Sequence, residues 1–130
     1  MSNGKKILVV DDDIDLLEQV AMMLSGEGYA VTKAQSQEEA EEALLTVIPD
    51  LAVCDLMMEN MDSGFVLCHH IKKLYPETPV IILTAVKSAT GLDFTVRPSD
   101  AGSWIQADAL MDKPVRPEQL KTEIRRLLSR

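Results

Sequence analysis

Apolar residues in this chain come in two rhythms. Four short runs are apolar at every position: Ile7-Leu8-Val9-Val10, Leu51-Ala52-Val53-Cys54, Val80-Ile81-Ile82-Leu83 and the shorter Ala109-Leu110-Met111. Such runs predict strands covered on both faces, as in a parallel sheet between helix layers. Tyr29 to Ala34 reads as one more strand. Between the strands the spacing becomes helical. Leu17, Val20, Ala21 and Leu24 make one stripe of a helix over about Ile14 to Ser25, which Gly26 and Gly28 end. Ser36 and Glu39 form a capping box opening a helix with Ala40, Ala43, Leu44 and Val47 inward, and Pro49 turns the chain out of it. A third helix runs from about Gly64 to Leu74, with Pro76 and Pro79 in the loop beyond. The last starts near Pro117 and carries Leu120, Ile124, Leu127 and Leu128 inward. Strands alternating with helices predict an α/β, doubly wound, five-stranded parallel sheet.

At 130 residues the chain suits one core and leaves no room for a separate output domain, so a single domain over 1–130, with its core from residue 5, is expected. The 46% hydrophobic content argues against disorder, and the low aromatic share predicts an aliphatic and Met core. The apolar run after Lys5-Lys6 is too short for a signal-peptide core or a membrane span, and a cytoplasmic location without membrane insertion is expected. There Cys54 and Cys68 would stay reduced, Cys54 as a small buried strand residue. Charge is uneven. From Asp11 to Asp62 there are fourteen Asp or Glu against one base, Lys33. A net charge of −8 argues against nonspecific nucleic-acid binding. The closing Lys121, Arg125, Arg126 and Arg130 read best as the solvated, dipole-matched end of a helix.

The candidate chemistry stands where the apolar runs stop. Asp11 and Asp12 follow the first run and Asp55 ends the third strand, so in neighbouring parallel strands three carboxylates converge on one crevice. At about 4 Å and an effective dielectric near 20, each like-charged pair costs roughly 4 kcal/mol, and such a cluster persists only with partial protonation or a bound cation. Oxygen-only ligation suits Mg²⁺, and a metal beside a free carboxylate is equipment for taking up a phosphoryl group. Thr84 ends the fourth strand and Lys113-Pro114 follows the fifth, bringing a hydroxyl and an ammonium to the same edge.

Acidic pair, Asp, Thr-Ala and Lys-Pro in this order at successive strand ends resemble the receiver domain of bacterial two-component response regulators, over the whole chain from about Lys5. The resemblance implies a flavodoxin-like (CheY-like) sheet of strand order 2-1-3-4-5. It implies Asp55 as phosphoacceptor, with Thr84, Lys113 and Ala85 assisting: the hydroxyl and ammonium on phosphoryl oxygens, the small Ala85 leaving them room. The metal, Mg²⁺ or Mn²⁺, would be held by Asp11, Asp12, Asp55 and the backbone carbonyl of Met57, with Asp11 acting chiefly through water. Implied partners are a histidine kinase or phosphotransfer protein and a downstream protein target, with a second copy of the chain also admitted. The implied function is a signalling switch, not a metabolic enzyme, that works by phosphorylation-dependent protein–protein interaction.

Each member has a plainer reading. One of Asp11, Asp12 and Asp13 suffices to cap the first helix; Thr84 alone is a strand-end β-branched residue and Lys113 alone a solvated lysine. The constellation carries the claim. His69 and His70, adjacent on a helix, point in different directions and read as surface residues, and Met57, Met58 and Met61 as loop and core filling. Glu59 stands where receivers usually have proline, the tract ending in Ser63-Gly64 is one residue longer than common, and Leu110 replaces an aromatic. Glu59 and Leu110 favour the alternative of a receiver-like docking module that never cycles. Thr84 and Lys113 are 113 − 84 = 29 residues apart, longer than usual. Gly91, Pro98, Gly102 and several β-branched residues predict that Val86 to Gln106 replaces or extends the usual fourth helix with an irregular loop. Phe94 and Trp104 in it, with Leu110, are the candidate output surface, and both aromatics also suit a cover for the sheet.

Overall fold

The continuous apolar runs owe their composition to a strand's period of two. In the computed structural model, which describes residues 4–56, 63–84, 107–112 and 116–129, five strands form one parallel sheet. They are β1 (Lys6–Val10), β2 (Ala30–Ala34), β3 (Leu51–Asp55), β4 (Val80–Thr84) and β5 (Ala109–Asp112), in the order β2-β1-β3-β4-β5 that the receiver resemblance implies. Four helices lie among the described residues: α1 (Ile14–Gly26), α2 (Gln37–Ala43), α3 (Ser63–Leu74) and α4 (Pro117–Leu128). Odd and even strand positions feed two separate cores. Ile7, Val9, Leu51, Val53, Ile81 and Leu83 pack with Leu17, Val20 and Leu24 of α1 and Leu120, Ile124 and Leu127 of α4. On the other face Leu8, Val10, Ala52, Cys54, Val80 and Ile82 pack with Ala40 and Leu44 and with Leu67, Cys68 and Ile71 of α3. Each fully buried Leu or Ile is worth roughly 1.5–3 kcal/mol over its exposed state.

Local chemistry sets the element ends. Asp13 is the N-cap of α1, its carboxylate accepting from the Asp15 and Leu16 amides. That settles the three-way choice at Asp11 to Asp13. Gly26 is the last residue of α1, and the turn beyond is made by Gly28 at φ +95, where its amide donates to Ser25 O and Tyr29 N to Leu24 O. Ser36 caps α2 by accepting from Glu39 N, while the Glu39 carboxylate reaches back to the Gln35 amide, one residue before a standard capping box would place it. The helix ends at Ala43, well before Pro49, and successive turns carry the chain on with Val47 N donating to Ala43 O. The stretch 86–106, for which an irregular loop is expected, lies outside the described residues.

At the amino edge of the sheet, Asp108 ties three elements together. Its Oδ2 accepts from Lys72 Nζ of α3 at 2.7 Å and from Val80 N at the start of β4 at 2.9 Å, while its own amide donates to Val80 O. The basic end of α4 is spent on ordinary pairing: Lys121 and Arg125 face Glu27, and Arg126 pairs with Glu123. No described helix is long and apolar enough to cross a membrane.

Candidate phosphoryl-accepting site

The register of β1 against β3, with Val10 opposite Cys54, makes the next residues of both strands, Asp11 and Asp55, neighbours at the carboxyl edge. Asp11 is held there by its amide, which donates to Ala34 O of β2, and its Oδ1 accepts the Asp13 amide at 2.9 Å. Both carboxylates are buried, at 3% and 6% exposure, and the exposed Asp12 completes the group. Oxygens of Asp11, Asp12 and Asp55 all lie within 4.8 Å of one another. Among the described residues no other set of three His, Cys, Asp or Glu side chains closes in this way. At that separation and an effective dielectric near 20 the two buried carboxylates repel by roughly 3 kcal/mol. Three hard oxygen donors on one side of a crevice fit Mg²⁺, which takes one or two carboxylates and keeps water on its other positions.

Thr84, 2% exposed, ends β4 one residue past Leu83, the register partner of Asp55. Across from it in β5 stands Asp112, the residue before Lys113. Lys113, Met57, Ala85, Phe94 and Trp104 lie outside the described residues. Leu110 lies opposite Ile82, half-buried against the core on the α3 side. Cys54, beside Asp55, is fully buried. Burial pushes its thiol well above the ordinary range, and the neighbouring Cys68 and then Asp55 add to the shift, so it is a neutral, inert packing group. His69 is exposed and His70 half-buried on α3, and neither joins a metal-ligating group among the described residues.

Two residues of the site escaped the sequence. Ser63 opens α3 fully buried, and Gly64 lies so close to β3 that its amide donates to Leu56 O at 2.7 Å. The visible signals were a glycine at a helix start and the one-residue excess of the tract ending in Ser63-Gly64.

Residues 7–125 match the response regulator receiver domain family. The chain belongs to that family. Its relatives include a "Probable transcriptional regulator ycf27" of Cyanophora paradoxa, 37% identical across 98% of this chain and 50% of the relative. Response regulator MprA of Mycolicibacterium vanbaalenii is 36% identical across 96% of this chain and 51% of its own. The chain thus spans about half the length of these curated relatives. Among solved structures, a CheY-like receiver domain protein from Methanospirillum hungatei JF-1 superposes with a TM-score of 0.81 at 31% identity, covering 97% of this chain and 94% of that one. Receiver domains are signalling switches that bind Mg²⁺ at an acidic cluster.

Proposed function

We propose that this receiver domain accepts a phosphoryl group on Asp55 from a phosphohistidine and signals by changing which protein it binds. The observation that carries the reading is the convergence of three carboxylates within 4.8 Å at the end of β3, beside Thr84, in a chain of this family. An Asp55 oxygen attacks phosphorus as the phosphorus–nitrogen bond breaks. The imidazole leaves with the electron pair and takes up a proton, and Asp55 becomes an acyl phosphate. The Thr84 hydroxyl donates to one phosphoryl oxygen and the Lys113 ammonium pairs with another as a compact point charge, while Ala85 leaves them room. Asp11, Asp12 and Asp55, with the Met57 backbone carbonyl, would hold Mg²⁺ (or Mn²⁺). When bound, the metal supplies positive charge that offsets the carboxylates and the transferring oxygens.

Output is assigned to Phe94, Trp104 and Leu110, which follow Thr84 in the chain or lie on the neighbouring strand, for a downstream protein or a second copy of the chain. The test is intact-mass measurement after incubation with Mg²⁺ and a small acyl-phosphate donor. Wild type should gain one phosphoryl mass, and Asp55→Asn or wild type in excess chelator none. Equal modification of both proteins would refute the assignment, and no modification of either would favour the docking module that never cycles.

A further inference from the structure

We propose that Gly64 is a positioning residue for the acceptor carboxylate, an inference that rests on Asp55 being the phosphoryl acceptor. A Cβ at position 64 would lie 2.6 Å from the Asp55 carbonyl oxygen, 2.6 Å from Leu56 Cα and 3.2 Å from the Asp55 carbonyl carbon. All three are main-chain atoms and cannot rotate aside. Gly64 sits in the first turn of α3, where intrinsic propensity would favour alanine. Glycine at a position that local preference argues against points to a tertiary demand, and here that demand is space at the reacting residue.

The close approach is one side of a clamp. Leu56 N donates to Leu83 O of β4 at 2.8 Å, and Leu56 O accepts from Gly64 N at 2.7 Å. The residue after Asp55 is therefore bonded to β4 on one side and to α3 on the other. Asp55 is held by its own register with Leu83, beside Thr84. A methyl group at 64 must drive α3 outward or the end of β3 inward. Either motion opens the Gly64–Leu56 bond and moves Asp55 relative to Thr84 and to the carboxylates of Asp11 and Asp12. A misplacement of about 1 Å in a group-transfer site can cost on the order of 100-fold in rate.

The experiment compares wild type, Asp55→Asn, Gly64→Ala and Gly26→Ala, the last a control because a Cβ at Gly26 meets nothing within 4 Å. Labelling by a small acyl-phosphate donor at saturating Mg²⁺ is resolved into the maximal rate and the half-saturating donor concentration. Gly64→Ala should lose about 10-fold or more of the maximal rate with the half-saturating concentration changed less than about twofold, and Gly26→Ala should match wild type in both. A folded Gly64→Ala protein that melts lower but labels at the wild-type maximal rate overturns the proposal, leaving Gly64 a packing residue only. Wild type unlabelled, or labelled equally with Asp55→Asn, overturns the phosphoacceptor reading and this inference with it. Should Gly64→Ala fail to fold, hydrogen exchange of the wild-type Gly64 amide decides: protection matching the β3 core supports the clamp, and exchange as fast as an unstructured amide overturns it.

Discussion

Asp11, Asp12 and Asp55 form one cluster, yet their surroundings differ, and so should their effects. Asp11 is buried and already accepts the Asp13 amide, whereas Asp12 is exposed at the mouth of the crevice. Asp12→Ala is therefore expected to weaken Mg²⁺ binding more than Asp11→Ala, as read from titrations of the two variants; equal losses would contradict the ranking. Cys54 gives a pH signature. Its thiol is raised in the folded state from the ordinary 9.0, so above that pH the unfolded chain releases a proton that the folded one keeps. Stability from this group is complete below pH 9 and falls as pH rises beyond it, by up to about 1.4 kcal/mol per unit. Cys54→Val should flatten that decline in denaturant melts between pH 8.5 and 10.5. The carboxylates were legible in the sequence because each ends an apolar run, which fixes its place at the strand end. Which of Asp11, Asp12 and Asp13 caps α1 was not, since adjacent residues of one type compete equally for the same amides. The role of Gly64 was not legible because its meaning comes from β3, which approaches only in the folded chain.

Helix α3 is held at both ends. Its start rests on Leu56, and near its end Lys72 reaches Asp108 with both side chains largely buried. Removing one partner from such a pair leaves a desolvated charge. Lys72→Met should cost about 2 kcal/mol, less than for a fully buried pair because each side chain keeps some exposure. The double variant Lys72→Met, Asp108→Asn should recover part of that loss, because the amide still accepts from Val80 N and no charge is stranded; urea denaturation of the three proteins checks both statements. Helix ends were the least legible part of the sequence. Pro49 looked like the stop of α2, but the regular helix ends at Ala43; Leu44 keeps helical angles and short turns follow, with the Leu45 amide donating to Glu42 O and the Thr46 amide to Ala43 O. Strand positions were read better, since an apolar run bounded on both sides leaves little freedom of register.

The sheet gathers its acidic strand ends on one edge, so occupancy of that edge should be felt by the whole domain. Mg²⁺ at about 100 times its dissociation constant should add roughly 2.7 kcal/mol and raise the melting temperature by about 10 °C. Asp55→Asn should melt higher than wild type in chelator and respond less to the ion; a variant that melts lower in chelator would mean that hydrogen bonding at Asp55 outweighs repulsion. The position of β3 has a consequence for how a signal can leave. It is the middle strand, paired on both sides and buried at all five positions, so the phosphoryl charge proposed for Asp55 would arrive at the part of the domain least able to yield. Movement must be taken up at the margins, and at the β5 margin Ala107, Ala109 and Leu110 are only half-buried. An anvil of this kind lets listeners diverge while the chemistry stays fixed. Random libraries at positions 107, 109 and 110 should keep a far larger folded fraction, scored by protease resistance, than libraries at 51–54, and the margin is the place to rewire recognition.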